Sequence, residues 1–298
     1  VSDLRVIPAR GGRIAPAGDR PRVQAGDCLV AARVIVDARG RAGLRGSRRL
    51  GADLVALPFA GRLAAASAAA AMMQIEALED GWLWACTLPD GRLSGQLFLE
   101  ATTLAGLGRP AQRVLLARRL AATYPGVDPI AGRVAPAMLD AVDDPFAGDF
   151  VLRVGDAALA RDPIASHGLL HALRSGAQAA AAAATLLDPE CDATAARAFI
   201  RDRHRRATEA ARTATSQAYG DQARIRSPFW TRRTPGPPAH PRAPSWPPLS
   251  RPLTLSAPMR TVAMLDAGRI RWTPAIWLAT SAEAAPRLGP LSAAALAR

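Results

Sequence analysis

The sequence predicts an α/β fold, and three stretches carry that prediction. Phe150–Leu187 reads as a short inner strand, a glycine turn, a small loop and a long helix of small residues. Trp82–Pro89 and Leu93–Leu99 read as two strands joined by the Asp90-Gly91 turn, the pattern of a β-hairpin. Ala31–Val36 is a further apolar run with strand character.

Phe150, Val151, Leu152 and Val154 suit a strand buried inside a sheet. Gly155 lets the chain turn sharply. Asp156 then presents a carboxylate just past the strand end, where open α/β sheets bind ligands. Asp162-Pro163 sets a second turn. Ser166 is placed to cap the helix, and Gly168 admits a close neighbour at its start. Leu169, Ala172, Leu173, Gly176 and Ala180 share one helix face, small enough to lie against a sheet or a flat ligand. The helix N-terminus offers free N–H groups and a partial positive charge. This stretch therefore combines an acceptor for hydroxyls with a donor site for an anion.

In chain order, Leu4–Ile7 and Ala31–Val36 read as strands, with hairpin material at Gly11–Ile14 and Val23–Gly26 between them. Ala31–Val36 runs into Asp37-Ala38-Arg39-Gly40-Arg41. Gly51–Phe59 is a strand, and Leu63–Met73 fits strand or helix. Glu79-Asp80-Gly81 is a turn before a strand that puts Trp82 and Trp84 on one face; Leu93–Leu99 is its partner. Pro110–Tyr124 is a helix with an apolar stripe, and Arg133–Met138 returns as a strand. Asp192–Ala218 is a basic helix whose Arg201, Arg203, Arg205 and Arg206 form a solvated face. Pro235–Pro252 is an extended proline-rich linker. Thr261–Leu265 and Ile270–Trp272 flank an Asp266-Ala267-Gly268-Arg269 turn in a small C-terminal cap, expected on the substrate side.

Composition narrows the function. The chain has 298 residues and a net charge of +13, and all 38 basic residues are arginine. With no lysine, Schiff-base and Walker-type lysine chemistry are excluded within these residues. The arginines are scattered and aromatics are few, which argues against nucleic acid as a partner. Cys28, Cys86 and Cys191 are widely spaced, without metal-ligand spacing, and are expected as buried thiols in a reducing compartment. His167 and His171 share a helix face without an obvious third ligand, so no metal site is expected. The opening residues lack a secretory pattern, and the longest apolar runs are about half a membrane span. A cytoplasmic protein with no membrane partner is the expectation.

The order GDAALARDPIASHGLLHALRSG (155–176) closely resembles the second FAD-binding motif of the flavin-dependent monooxygenases and halogenases, a GD-x(5)-DP-x(3)-G pattern opening an Ala-rich helix. The resemblance is to the type of the group A flavoprotein hydroxylases. It implies that Asp156 holds the ribityl chain, that Pro163 lies against the isoalloxazine and that Gly168 meets its N1–O2 edge. Gly155, Asp162, Ser166 and His167 belong to the same cofactor-binding set, with His167 near the ring. His167 would polarise the ring, contact substrate, or simply cap and pack. The strand ending in Asp37-Ala38-Arg39-Gly40-Arg41 resembles the signature where the chain leaves the FAD domain, which adds Asp37 and Gly40. GWLW…LPDG resembles the WxW strand of halogenases and related monooxygenases; Trp82 and Trp84 then line the substrate channel, or else pack the core. YGDQAR with SPFWTRR is similar to the branch that modifies a tryptophan in a partner protein during quinone-cofactor maturation.

The resemblance implies a partial FAD-binding Rossmann-type domain with an inserted β-sheet substrate domain and a small C-terminal cap. The corresponding boundaries are 1–45 and 146–218 for the two halves of the FAD domain, 46–145 for the substrate domain, and 219–298 for the linker and cap. The GxGxxG turn that holds the FAD pyrophosphate is absent from these residues, so the match begins partway through the family's first domain, as in a chain missing about one hundred N-terminal residues. The implied function is an FAD-dependent monooxygenase, reduced by NADH or NADPH, that oxidises an aromatic small molecule or a protein-bound tryptophan. The alternatives are a flavin-dependent halogenase, and a truncated, non-catalytic fragment unable to hold FAD. No catalytic acid or base is implied.

Overall fold

The computed structural model describes residues 6–9, 11–15, 20–63, 72–234, 259–276 and 291–292. The first strands, β1 (Arg13–Ala15), β2 (Arg22–Ala25) and β3 (Cys28–Ala31), form an antiparallel meander. The expected run Ala31–Val36 is broken: the chain leaves β3 at Ala31 and re-enters a strand as β4 (Ile35–Asp37). Of the expected strand Leu4–Ile7, residues 4 and 5 lie outside the described residues, and Val6 and Ile7 are irregular. A 3-10 turn at Gly40–Gly43 leads to the short strand β5 (Ser47–Arg49).

Next comes the large antiparallel sheet. Its strands are β6 (Val55–Arg62), β7 (Met72–Leu78), β8 (Gly81–Thr87) and β9 (Arg92–Leu99). After two helices, α1 (Ala101–Leu104) and α2 (Arg109–Leu120), come the short strands β10 (Ile130–Ala131) and β11 (Ala135–Pro136). The sheet order is β10-β6-β9-β8-β7, with β11 also on β6. The hairpin register pairs Trp82 with Phe98 and Leu83 with Leu97. Period-2 alternation gives this sheet two buried faces. Leu57, Leu83 and Leu97 pack with Leu116 and Leu120 of α2. Ala56, Trp82 and Phe98 face the other way, onto Tyr219, Phe229 and Trp230. Most of the expected Leu63–Met73 element, residues 64–71, lies outside the described residues.

The chain then returns through β12 (Asp140–Val142), which joins β5, to β13 (Val151–Arg153). β13 pairs parallel to β4, with Leu152 opposite Val36 and Arg153 opposite Asp37. This parallel pair brings the two halves of the α/β unit together although more than 100 residues separate them in sequence. β14 (Leu159–Ala160) follows, then α3 (Gly168–Leu187) and α4 (Ala193–Gly220), which pack through Ala179, Ala182, Ala195, Ala196 and Phe199. The last described elements are α5 (Pro228–Thr231) and the strands β15 (Met259–Asp266), β16 (Arg269–Ile276) and β17 (Leu291–Ser292). The architecture is α/β, with an antiparallel sheet inserted between β4 and β13 and a small β-hairpin near the C-terminus.

Two expectations need correction, on the cysteines and on the arginine face. The C-terminal hairpin packs against α3 and α4. Fully buried Ile270 joins the α3–α4 core, its N–H donates to Thr185 Oγ1 at 2.9 Å, and the Trp272 indole donates to Asp192. The small residues of α3 and α4 leave room for it there. Cys28 is not buried: β3 is an edge strand with all four residues exposed, while Cys86 and Cys191 are half-buried. Of the four arginines assigned to a solvated face, only Arg201 and Arg205 are exposed, each paired with carboxylates; Arg203 and Arg206 are partly covered. The proline-rich 235–252 lies outside the described residues. No helix among the described residues is long and apolar enough to cross a membrane.

Candidate functional site

The site is built from two turns stacked end on end. The first, Gly40–Gly43, follows β4. Asp37 is 3% exposed, and both of its carboxylate oxygens are taken by the Arg39 guanidinium, Nε to Oδ1 and Nη2 to Oδ2 at 2.8 Å each. Burial pushes this carboxyl up, but the side-chain and backbone hydrogen bonds from Arg39 outweigh it and leave it below its ordinary value. Asp37 is thus a latch for the turn, with its oxygens engaged inside the chain. Gly40, at φ 64°, allows that turn.

The second turn is the GD turn, Gly155–Ala157, beyond β13. Gly155 has φ 53°, and its N–H donates to Ser175 Oγ of α3 at 2.9 Å. The two turns touch at Gly43: a Cβ there would meet Ala157 Cβ at 2.7 Å and the Asp37 carboxylate at 3.1 Å. Gly43→Ala is expected to cost about 1–3 kcal/mol by overpacking. Urea unfolding measures it, and an unchanged midpoint would show that the turns separate without cost.

Asp156 differs from Asp37. It makes no hydrogen bond among the described residues. Burial raises its pKa, and the opposing charge is Arg41. Arg41 is a site residue that the sequence reading did not single out. Its guanidinium is largely buried, donates to the Met138 carbonyl at 2.9 Å, and lies in the field of Asp156, Asp140 and Asp162. The second arginine of the DARGR run was its only sequence signal.

The DP turn follows β14. Asp162 caps the 3-10 turn Pro163–Ala165 by accepting from the Ile164 N–H at 3.0 Å. Its other oxygen accepts from the Tyr219 hydroxyl of α4 at 3.1 Å. Burial raises this carboxyl to about 6, against the hydrogen bonds from Ile164 and Tyr219 and the charges of Arg233 and Arg41. Burial also raises the Tyr219 phenol, and the neighbouring Asp162 charge adds to it. Ser166 is not the helix cap. It sits at φ 53° and closes the 3-10 turn; His167, exposed and without a side-chain capping bond, occupies the N-cap. A Cβ on Gly168 would meet nothing within 4 Å. The Leu169–Leu173 face is open too, with those leucines 77% and 66% exposed.

The structure therefore brings Asp156, Asp162, Pro163, Ser166, His167 and Gly168 to one end of α3, with Asp37 and Gly40 in the adjoining turn. Pro163 and Gly168 flank an uncovered surface, and Asp156 offers an unengaged, half-buried acceptor. These residues fit the ribityl and ring part of a flavin. Trp82 is 3% exposed and stacks on Phe98 with centroids 3.9 Å apart, and Trp84 is half-buried on the same cluster. That places Trp82 in the packing of the sheet. No group of three or more His, Cys, Asp or Glu among the described residues is arranged to hold a metal ion.

No family model matches the chain, and no curated protein does. Among solved structures it is similar to the peptidyl tryptophan dihydroxylase QhpG, essential for tryptophylquinone cofactor biogenesis: TM-score 0.66 and 26% identity, over 89% of this chain and 62% of that one. It is also similar to the flavin-dependent halogenase CmlS, with TM-score 0.62 and 20% identity over 74% of this chain and 44% of that one. The myxobacterial chondrochloren halogenase CndH gives TM-score 0.59 and 21% identity over 74% and 55%. The chain spans less than two thirds of the length of each of these proteins. In fold, the chain is similar to solved FAD-dependent hydroxylase and halogenase structures.

Proposed function

We propose that this chain is part of an FAD-dependent oxidoreductase, a monooxygenase whose substrate is an aromatic ring, with a polypeptide-bound tryptophan as the favoured case. The observation that carries the reading is the unengaged Asp156 carboxylate beside the open Pro163–Gly168 surface. The bound flavin would supply oxygen activation after reduction by NADH or NADPH. The chain's own residues do the rest. Asp156 accepts from ribityl hydroxyls. Pro163 gives the ring a flat apolar neighbour, and the α3 N-terminus stabilises negative charge at the ring edge. The buried aromatic cluster behind the DP turn keeps water from that side. Preference for a peptidyl tryptophan draws on the 26% identity with QhpG; the two halogenases support the shared fold alone.

The test is flavin uptake by the 298-residue chain, read by absorbance after incubation with FAD and gel filtration. Retained flavin is expected, with Asp156→Ala weakening binding by roughly tenfold or more, the worth of a charged hydrogen bond. Because Asp156 is a half-buried carboxylate without a hydrogen bond, its removal should not lower stability, and a thermal melt checks this. A chain that takes up no flavin, or an Asp156→Ala chain that holds it equally well, overturns the assignment.

A further inference from the structure

A cavity of about 240 Å³ lies between α3, α4 and the β13–β14 edge. On α3 it meets the side of Leu170, His171, Arg174 and Gln178. At roughly 100° per residue this is well away from the Leu169–Leu173 face described above. Its walls carry Arg153, Arg161, Arg174, Arg203, His171 and His204, and no carboxylate lines it. None of these four arginines forms an ion pair among the described residues, whereas Arg201 and Arg205 on the neighbouring helix surface do. Arg161 Nε and His171 Nε2 are buried without a hydrogen-bond partner. Leu152, Val154, Ile200 and Ala207 supply an apolar back wall, which strengthens any charge interaction made against it.

Gathering four guanidiniums with no carboxylate in the cavity wall is unfavourable unless an anion joins them; Asp37, outside the cavity, acts on Arg153 alone of the four. The number and geometry of the donors select the anion. A carboxylate offers two oxygens and one charge. A phosphate offers more oxygens and up to two charges, and arginine forks match it bidentately. The cavity is smaller than the roughly 300–1,000 Å³ of sites for drug-sized ligands, so it fits one small anion or one end of a larger molecule. We propose that this cavity is a phosphate-binding site, taking free phosphate or the phosphoryl group of a larger ligand, distinct from the flavin surface and independent of the flavin reading.

His171 supports the same conclusion. Burial lowers its pKa to about 4, and the facing charges of Arg161 and His204 add to that. The remaining charged neighbours in the walls are Arg153, Arg174 and Arg203, with His167 at the rim. Asp143 and Asp144 act on His204 from outside the cavity. A bound phosphate would reverse the field at His171.

Calorimetric titration of the full chain at constant ionic strength tests the site, with inorganic phosphate, adenosine monophosphate and acetate as separate probes. Saturable one-to-one phosphate binding is expected, weakened at least about tenfold by Arg161→Gln and by Arg174→Gln. Arg118→Gln on the outer face of α2 should leave it unchanged. Arg174 is exposed, so its variant keeps the test intact if Arg161→Gln misfolds. Binding of both phosphate and the monophosphate identifies a phosphoryl group on a larger ligand; phosphate alone identifies the free ion; either supports the site. The His171 ring resonances should also titrate at higher pH with phosphate bound. Absence of saturable binding, equal weakening by Arg118→Gln, or acetate bound as well as phosphate overturns the proposal.

Discussion

Trp230→Ala is expected to destabilise the chain by about 3–5 kcal/mol, the range for truncating a buried tryptophan. Trp230 is 3% exposed and sits in the cluster that joins α4 to the outer face of the large sheet. Its ring lies 5.3 Å from Phe229 and 5.8 Å from Tyr219, and its indole N–H donates to the Leu78 carbonyl at 2.7 Å. Ser227 and Arg233 add bonds to the Glu79 carbonyl and to Glu100. The SPFWTRR segment is thus a clasp that fixes the sheet against the DP turn. Trp230→Phe keeps a ring but loses the indole hydrogen bond to the Leu78 carbonyl, and should cost less, about 1–3 kcal/mol. Urea unfolding of both variants measures the difference. A loss below about 1 kcal/mol for Trp230→Ala would mean the clasp does not hold the two parts together.

The second large effect is a pH dependence centred on Asp162. Its folded pKa of about 6 stands above its unfolded value of 3.8, so between these pH values the folded chain binds more protons than the unfolded one. The stability conferred by the protonated form is complete below pH 3.8 and is lost as pH rises through about 6. A shift of about two units corresponds to about 3 kcal/mol. Asp162→Asn fixes the neutral state. Its one oxygen serves either the Ile164 N–H or the Tyr219 hydroxyl, a pH-independent cost of about 1 kcal/mol. Relative to the wild type, the variant should therefore gain about 2 kcal/mol between pH 4 and pH 7. Denaturant unfolding at four pH values reads this directly; a flat difference would place Asp162 in a wetter setting than its 4% exposure describes.

Both effects sit where distant segments meet, and this is the boundary of what sequence could tell. Asp162 and Tyr219 are 57 positions apart, and Trp230 and Leu78 are 152 apart. No local pattern couples them. Likewise, nothing local to Arg41 announced that Asp140, Asp156 and Asp162 would surround it, or that Arg161, His171 and His204 would share a cavity. Ser166 misled for a related reason: as a residue type it suits an N-cap, but the turn before it ends in a left-handed residue, and Ser166 is that residue.

The sequence by itself determined the local geometry. The Asp90-Gly91 turn between two strand-like runs set the Trp82–Leu99 hairpin, and the two-residue repeat of a strand put Trp82 and Trp84 on one face. The small residues of 168–187 set α3, and the order of Gly155, Asp156, Asp162, Pro163 and Gly168 set the turns at its head. These are consequences of backbone stereochemistry within a few residues. Only the tertiary structure decided which charges are engaged. Asp37 is closed by Arg39 while Asp156 is left open, and four arginines on one side of α3 face a cavity without a carboxylate. Charge pairing depends on distance and burial, which packing between remote segments creates.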